Sequence, residues 1–234
     1  VIATHQEMKA NFGFALAAPI RIVLASNVDK AVSFHKEKAA YPLRNRRSVL
    51  AKQCPEGGAF GGTAVPNLII LCFGKGGFDP NVFNEARFKE VIAHEIFHAY
   101  QLQLAGTVRT TSQSVFLARK GPAWLIEGSA QVFGIYSAYK RTLSTTVSPV
   151  RKAIKGEVPT LSSVDSIADL KERKLKVYLT GHLAVSMLIP NQDFRKLIEF
   201  YEMLGRKKNW KDAFEEIFGQ SFDAFNTKFD AKFR

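Results

Sequence analysis

Phe83-Asn84-Glu85-Ala86-Arg87-Phe88-Lys89-Glu90-Val91-Ile92-Ala93-His94-Glu95-Ile96-Phe97-His98-Ala99-Tyr100 is the stretch from which the rest of the chain is read. Its apolar residues Phe88, Val91, Ile92, Ile96, Phe97 and Tyr100 recur at helical spacing, and no proline or glycine falls between Val82 and Ala105. The pattern predicts a helix over about 84–105 with one side buried. His94 and His98 are four apart, so on that helix they differ by only about 40° around the axis and project from one face. Two neutral imidazoles so placed can hold one zinc ion through their ring nitrogens. Glu95 lies on the adjacent flank, where its carboxylate can reach a water on the ion. The competing reading is a pair of core histidines, each needing a buried hydrogen-bond partner. The chain has only five histidines, and two of them on one helical face favour the shared ion.

A catalytic zinc takes three protein ligands and leaves a further position open. The third is sought in Gly121-Pro122-Ala123-Trp124-Leu125-Ile126-Glu127-Gly128-Ser129-Ala130. Proline after glycine reads as a helix start, predicting a helix over about 122–140. Glu127 falls one to two turns in, among Trp124, Leu125, Ile126, Val132 and Phe133. A carboxylate on so apolar a helix is costly to bury unless it is paired or bound to a metal. An exposed or salt-bridged Glu127 is the alternative.

The pair HEIFHAYQ (94–101) and WLIEGSA (124–130) resembles the gluzincin clan of zinc peptidases, in which a glutamate on a second helix completes the site. More narrowly, the chain is similar to the small bacterial peptidase-MA-like families. Those share a W-L-x-E-G-x-A helix, a later tyrosine-containing helix and an A-F-x-x-x-F-G-x-S-x-x-x-F tail, matched here by Ala213 to Phe225. Phe12-Gly13 and Pro19 to Leu24 also resemble the opening of such domains. The resemblance implies that His94, His98 and Glu127 ligate zinc and that Glu95 activates the zinc-bound water as general base. It also implies a tyrosine or histidine donor for the developing oxyanion. Two such residues, Tyr178 and His182, lie four apart on one predicted helix and can share a face. Tyr178 agrees better with the family's tyrosine. The alternatives are a half-buried core tyrosine and a structural or solvent-facing histidine.

The implied fold is α+β and zincin-like: a small mixed N-terminal lobe over about 1–83, a mainly helical C-terminal lobe over about 84–234, and an active-site cleft between them, all within one catalytic domain. In gluzincins the substrate pairs with an edge strand of the first lobe, for which Ala59 to Val65 is the candidate. One departure stands out. The acidic residue expected four positions after the glutamate ligand, to support a zinc histidine, is Gln131. Glu90 or Asp165 could take its place.

The remaining elements follow from periodicity and punctuation. Before residue 84 the pattern predicts an initial helix, strands at Ile20 to Ala25 and Leu68 to Phe73, and a helix from Val28 to Ala40. After it, helices are predicted at about 176–189, 191–204 and 209–232. Gly106 to Gly121 and Lys140 to Pro159 read as surface connections. No stretch has the length and apolar composition of a membrane span. Net charge is +12, densest in Arg44-Asn45-Arg46-Arg47 and in Lys171 to Lys176. That balance suits either a solvated basic face or an anionic surface or polymer as partner, and no nucleic-acid-binding motif accompanies it. Cys54 and Cys72 form either a disulfide or two buried thiols. A start at Val1 without methionine is compatible with a processed leader, so export to the periplasm, cell surface or exterior is expected.

The function expected from these residues is hydrolysis of peptide bonds by a zinc metallopeptidase acting on a peptide or protein substrate. A cell-wall peptide amidase with the same zinc chemistry, and a non-catalytic module binding anionic partners, are the other readings.

Overall fold

Leu68-Ile69-Ile70-Leu71-Cys72-Phe73 is apolar throughout, the signature of a strand covered on both faces. In the computed structural model all six residues are buried at the centre of a three-stranded sheet. The structure describes residues 18–39, 46–54, 60–73, 84–106, 120–206 and 209–234, together with residues 6, 9 and 10. Strand β1 (Arg21–Ala25) runs parallel to the central strand β3 (Leu68–Phe73), while β2 (Phe60–Val65) runs antiparallel to it on the other side. The register pairs Thr63 with Ile70 and leaves β2 at a sheet edge. Alternate β3 residues serve two cores. Ile69 and Leu71 join the large helical core, whereas Leu68, Ile70 and Cys72 pack with Ala31 and Leu50. Those two residues belong to helices α1 (Val28–Lys38) and α2 (Arg46–Gln53). Of the two states open to the cysteines, the structure has the disulfide, joining Cys54 beyond α2 to Cys72 on β3.

Helix α3 (Glu85–Leu104) is set by Asn84, whose side chain accepts from the Arg87 backbone N–H, with Glu85 in the first turn. It is followed by α4 (Ala123–Tyr139), α5 (Leu143–Ala153), a 3-10 turn at Leu161–Val164, α6 (Ile167–Glu172), α7 (Lys174–Leu188), α8 (Phe194–Arg206), α9 (Trp210–Phe218) and α10 (Phe222–Phe233). Among the described residues after 84 there is no strand, so the molecule is α+β and mostly helical. None of these helices is long and apolar enough to cross a membrane.

Two expectations are corrected. The helix expected over about 209–232 is two helices, because Gly219 adopts φ 69° and ends α9, and Ser221 then caps α10. The supposed connection Lys140 to Pro159 contains α5, whose Leu143 and Thr146 are buried. The chain before β2 also forms α2, which the apolar spacing does not announce. The expected initial helix is described only at residues 6, 9 and 10. Arg44 and Asn45, and residues 107–119 of the first connection, lie outside the described residues.

Helix α4 packs most extensively on α7 and on α3, and α3 also lies across β2. The α4–α7 contact closes to backbone distance at two glycines. A Cβ on Gly181 would stand 2.2 Å from the Trp124 carbonyl oxygen, and one on Gly128 would stand 2.4 Å from the Gly181 carbonyl. Glu127 adjoins that contact on one helix and Tyr178 lies one turn before it on the other.

Candidate metal centre and its cleft

Helices α3 and α4 run antiparallel, and the contact brings the histidine pair of one against the glutamate of the other. His94 Nε2 lies 2.9 Å from His98 Nε2, His98 Nε2 lies 3.2 Å from Glu127 Oε2, and His94 Nε2 lies 3.5 Å from the same oxygen. His94, His98 and Glu127 are the only such potential metal-holding group among the described residues. The three atoms form a triangle whose corners lie about 1.9 Å from its centre, so a point ~2.1 Å from each, the zinc–ligand distance, sits just off its plane. Two ring nitrogens at 2.9 Å with lone pairs converging must be bridged by a proton or an ion. The donor set therefore fits a divalent metal.

The proton sites are fixed by a neighbour. Gln101 Nε2 donates to the Ile126 carbonyl at 2.9 Å, which leaves Gln101 Oε1 to accept from His98 Nδ1 at 2.6 Å. His98 then presents Nε2 toward Glu127, the tautomer a metal ligand requires. Burial disfavours the imidazolium, but the Glu127 charge and hydrogen bond, with Glu95 adding, push His98 up to about 9. Burial likewise opposes ionisation of Glu127, yet His98 and His94 hold its carboxyl well below the ordinary range. An ion entering the site displaces the shared proton, so occupancy falls as pH falls.

Glu95 is buried beside this group and lies flat over β2. A Cβ on Gly62 would fall 2.5 Å from Glu95 Cγ and 2.8 Å from its Oε1. Only glycine admits that carboxylate against the strand. Burial raises the Glu95 pKa, opposed by His94 and His98. The Tyr178 ring stacks on His94, with centroids 5.5 Å apart and planes 9° from parallel, and its hydroxyl hydrogen-bonds Glu127. Burial first, then the Glu127 charge, drives its phenol well above the ordinary value.

His182 is not brought to this group. Its ring is fully buried between α7 and α5, with Nε2 2.8 Å from Thr146 Oγ1. Thr146 donates its own proton to the Leu143 carbonyl, so His182 Nε2–H is the donor, and among the described residues Nδ1 has no partner. Burial lowers its pKa to about 4. Gln131 is turned away from the histidines and toward Glu90. Gln131 Nε2 donates to Glu90 Oε1 at 2.9 Å, and Glu90 also takes Arg87 and Tyr139. The Asp165 main-chain carbonyl accepts the Ala123 N–H at the start of α4. The supporting residue is Gln101, whose i+3 spacing from His98 was the available signal.

Two hollows meet at Glu95, Tyr178 and Gly62. The larger, about 540 Å³, carries Lys52, Arg87 and Lys174, and the Lys174 ammonium stands 5.5 Å over the Tyr178 ring. The smaller, about 240 Å³, runs past His98 and Glu127 between α3 and α4, with Thr63 and Ala64 of β2 on its wall. No protein-family model, curated protein or solved structure matches this chain.

Proposed function

We propose that this protein is a zinc metallopeptidase of the gluzincin kind, with a zincin-like two-lobed domain and its catalytic cleft along the junction of the two hollows. The observation that carries the reading is the convergence of His94, His98 and Glu127, drawn from two helices, beside a buried Glu95. A zinc ion held by those three supplies Lewis acidity toward a carbonyl and lowers the pKa of water there toward about 7. Glu95 takes the proton of the attacking water and passes it to the leaving amine. Tyr178 donates its hydroxyl to the developing oxyanion, turning from Glu127 to do so. Edge strand β2 offers main-chain groups to an extended peptide, which gives affinity independent of substrate sequence. A module that merely bound anions would have no chemical use for a carboxylate packed on Gly62 next to three potential ligands. The disulfide supports an exported protein, since such bonds persist in oxidising compartments.

The test compares wild type with Glu95→Gln at matched zinc content on a mixture of unstructured peptides. Zinc in both and turnover in wild type alone is the expected result, with kcat lower by at least about 10²-fold in the variant. Equal turnover in Glu95→Gln would remove the proposed base.

A further inference from the structure

The smaller hollow has a second charged end. Its wall follows α3 from His98 through Gln101 and Leu102 to Ala105, and on the antiparallel side runs from Glu127 and Ile126 of α4 back across the non-helical Gly121-Pro122 to Lys120. Along α3 the seven residues from His98 to Ala105, at 1.5 Å each, give this wall a length of about 10 Å. Between them the lining is mainly apolar, with Leu102, Ile126, Leu170 and Tyr201. The carboxylates of the hollow, Glu95 and Glu127, belong to the metal end, and Glu127 is engaged by both histidines. Among the described residues Lys120 has no ion pair, although burial lowers its ammonium only to about 8 and leaves it charged at neutral pH. An ammonium in an apolar pocket carries a desolvation cost that an incoming carboxylate offsets.

We propose that the smaller hollow binds the substrate residue next to the cleaved bond and that Lys120 selects a carboxylate there. The inference rests on the peptidase reading and adds a substrate class to it. The carboxylate can be an aspartate or glutamate side chain beside the bond, or the terminal carboxylate of a peptide ending there. Both present the same chemistry to Lys120, and a pocket built to pair a charge rejects the neutral analogue that leaves the charge unpaired.

Peptides identical except for Glu, Gln or Lys at one position beside the bond, each with a free or an amidated terminus, separate the two sources. Binding to the Glu95→Gln protein is measured by fluorescence anisotropy, and kcat/KM is measured with wild type. The expected result is at least about tenfold preference for a carboxylate-bearing peptide over its neutral partner in both readouts. Preference following the side chain identifies an acidic residue, and preference following the free terminus identifies the chain end. Lys120→Met abolishes the preference and Lys120→Arg keeps it. Equal binding of all peptides by the Glu95→Gln protein, or a preference that survives Lys120→Met, overturns the proposal. If the binding preference holds and depends on Lys120 but no peptide is hydrolysed, the peptidase reading fails and the carboxylate pocket stands.

Discussion

Gln101 determines which nitrogen of His98 faces its partners. Its amide is anchored by donating to the Ile126 carbonyl, so its oxygen accepts from Nδ1 and leaves Nε2 for the ligand group. Replacing it with leucine frees the imidazole to rotate and to change tautomer. Gln101→Leu should weaken zinc affinity by about 10–100-fold, read by chelator competition, while thermal unfolding stays cooperative. Unchanged affinity would remove Gln101 from the support of the site. His94, Glu95, His98 and Glu127 were legible in the sequence because i, i+4 spacing and an apolar-flanked carboxylate are local patterns. Gln101 lay within one turn of His98 and carried the same information. Gln131, four positions after Glu127, is not that support, because its side chain bonds Glu90. His182 shares a helix with Tyr178, but periodicity could not say which neighbour covers each face, and α5 covers His182.

Helices α4 and α7 approach as closely as Gly128 and Gly181 allow, and Glu127 and Tyr178 sit beside that seam. A methyl at position 181 would strike the Trp124 carbonyl at 2.2 Å, where backbone cannot yield without moving a whole helix. Gly181→Ala should therefore cost about 1–3 kcal/mol in urea unfolding and lower zinc affinity as the helices part. Wild-type stability together with wild-type affinity would contradict this account of the seam. At the same scale, α3, α4 and α7 match the predicted bounds to within about two residues because each is a long run of apolar residues, although only α3 has a side-chain cap, at Asn84. Helix α5 is different. Leu-Ser-Thr-Thr-Val-Ser-Pro is poor in helix formers, and its helicity comes from packing on α7, a tertiary contact that no local pattern records. The break at Gly219 was written in the chain, since glycine in the left-handed region followed by a serine cap is a stop and a new start.

The whole molecule stores an acid sensitivity at His182, whose ring bonds Thr146 of α5. In the unfolded chain this histidine takes a proton near pH 6.5, whereas in the fold burial holds it neutral down to about 4. Between those values the unfolded state binds more protons, so stability is intact above about pH 6.5 and declines as pH falls toward 4. At ~1.4 kcal/mol per pH unit the loss approaches about 3 kcal/mol. His182→Gln, which keeps a donor for Thr146, should flatten the acid limb of urea stability by about that amount, and an unchanged limb would contradict the assignment. All the larger claims depend on the three ligand atoms contributed by α3 and α4. The most direct measurement is a crystal of the protein grown with zinc, with anomalous data on both sides of the zinc edge. The account predicts one peak about 2.1 Å from His94 Nε2, His98 Nε2 and a Glu127 carboxylate oxygen. A map with no peak among those atoms, or with zinc bound only elsewhere, would contradict it.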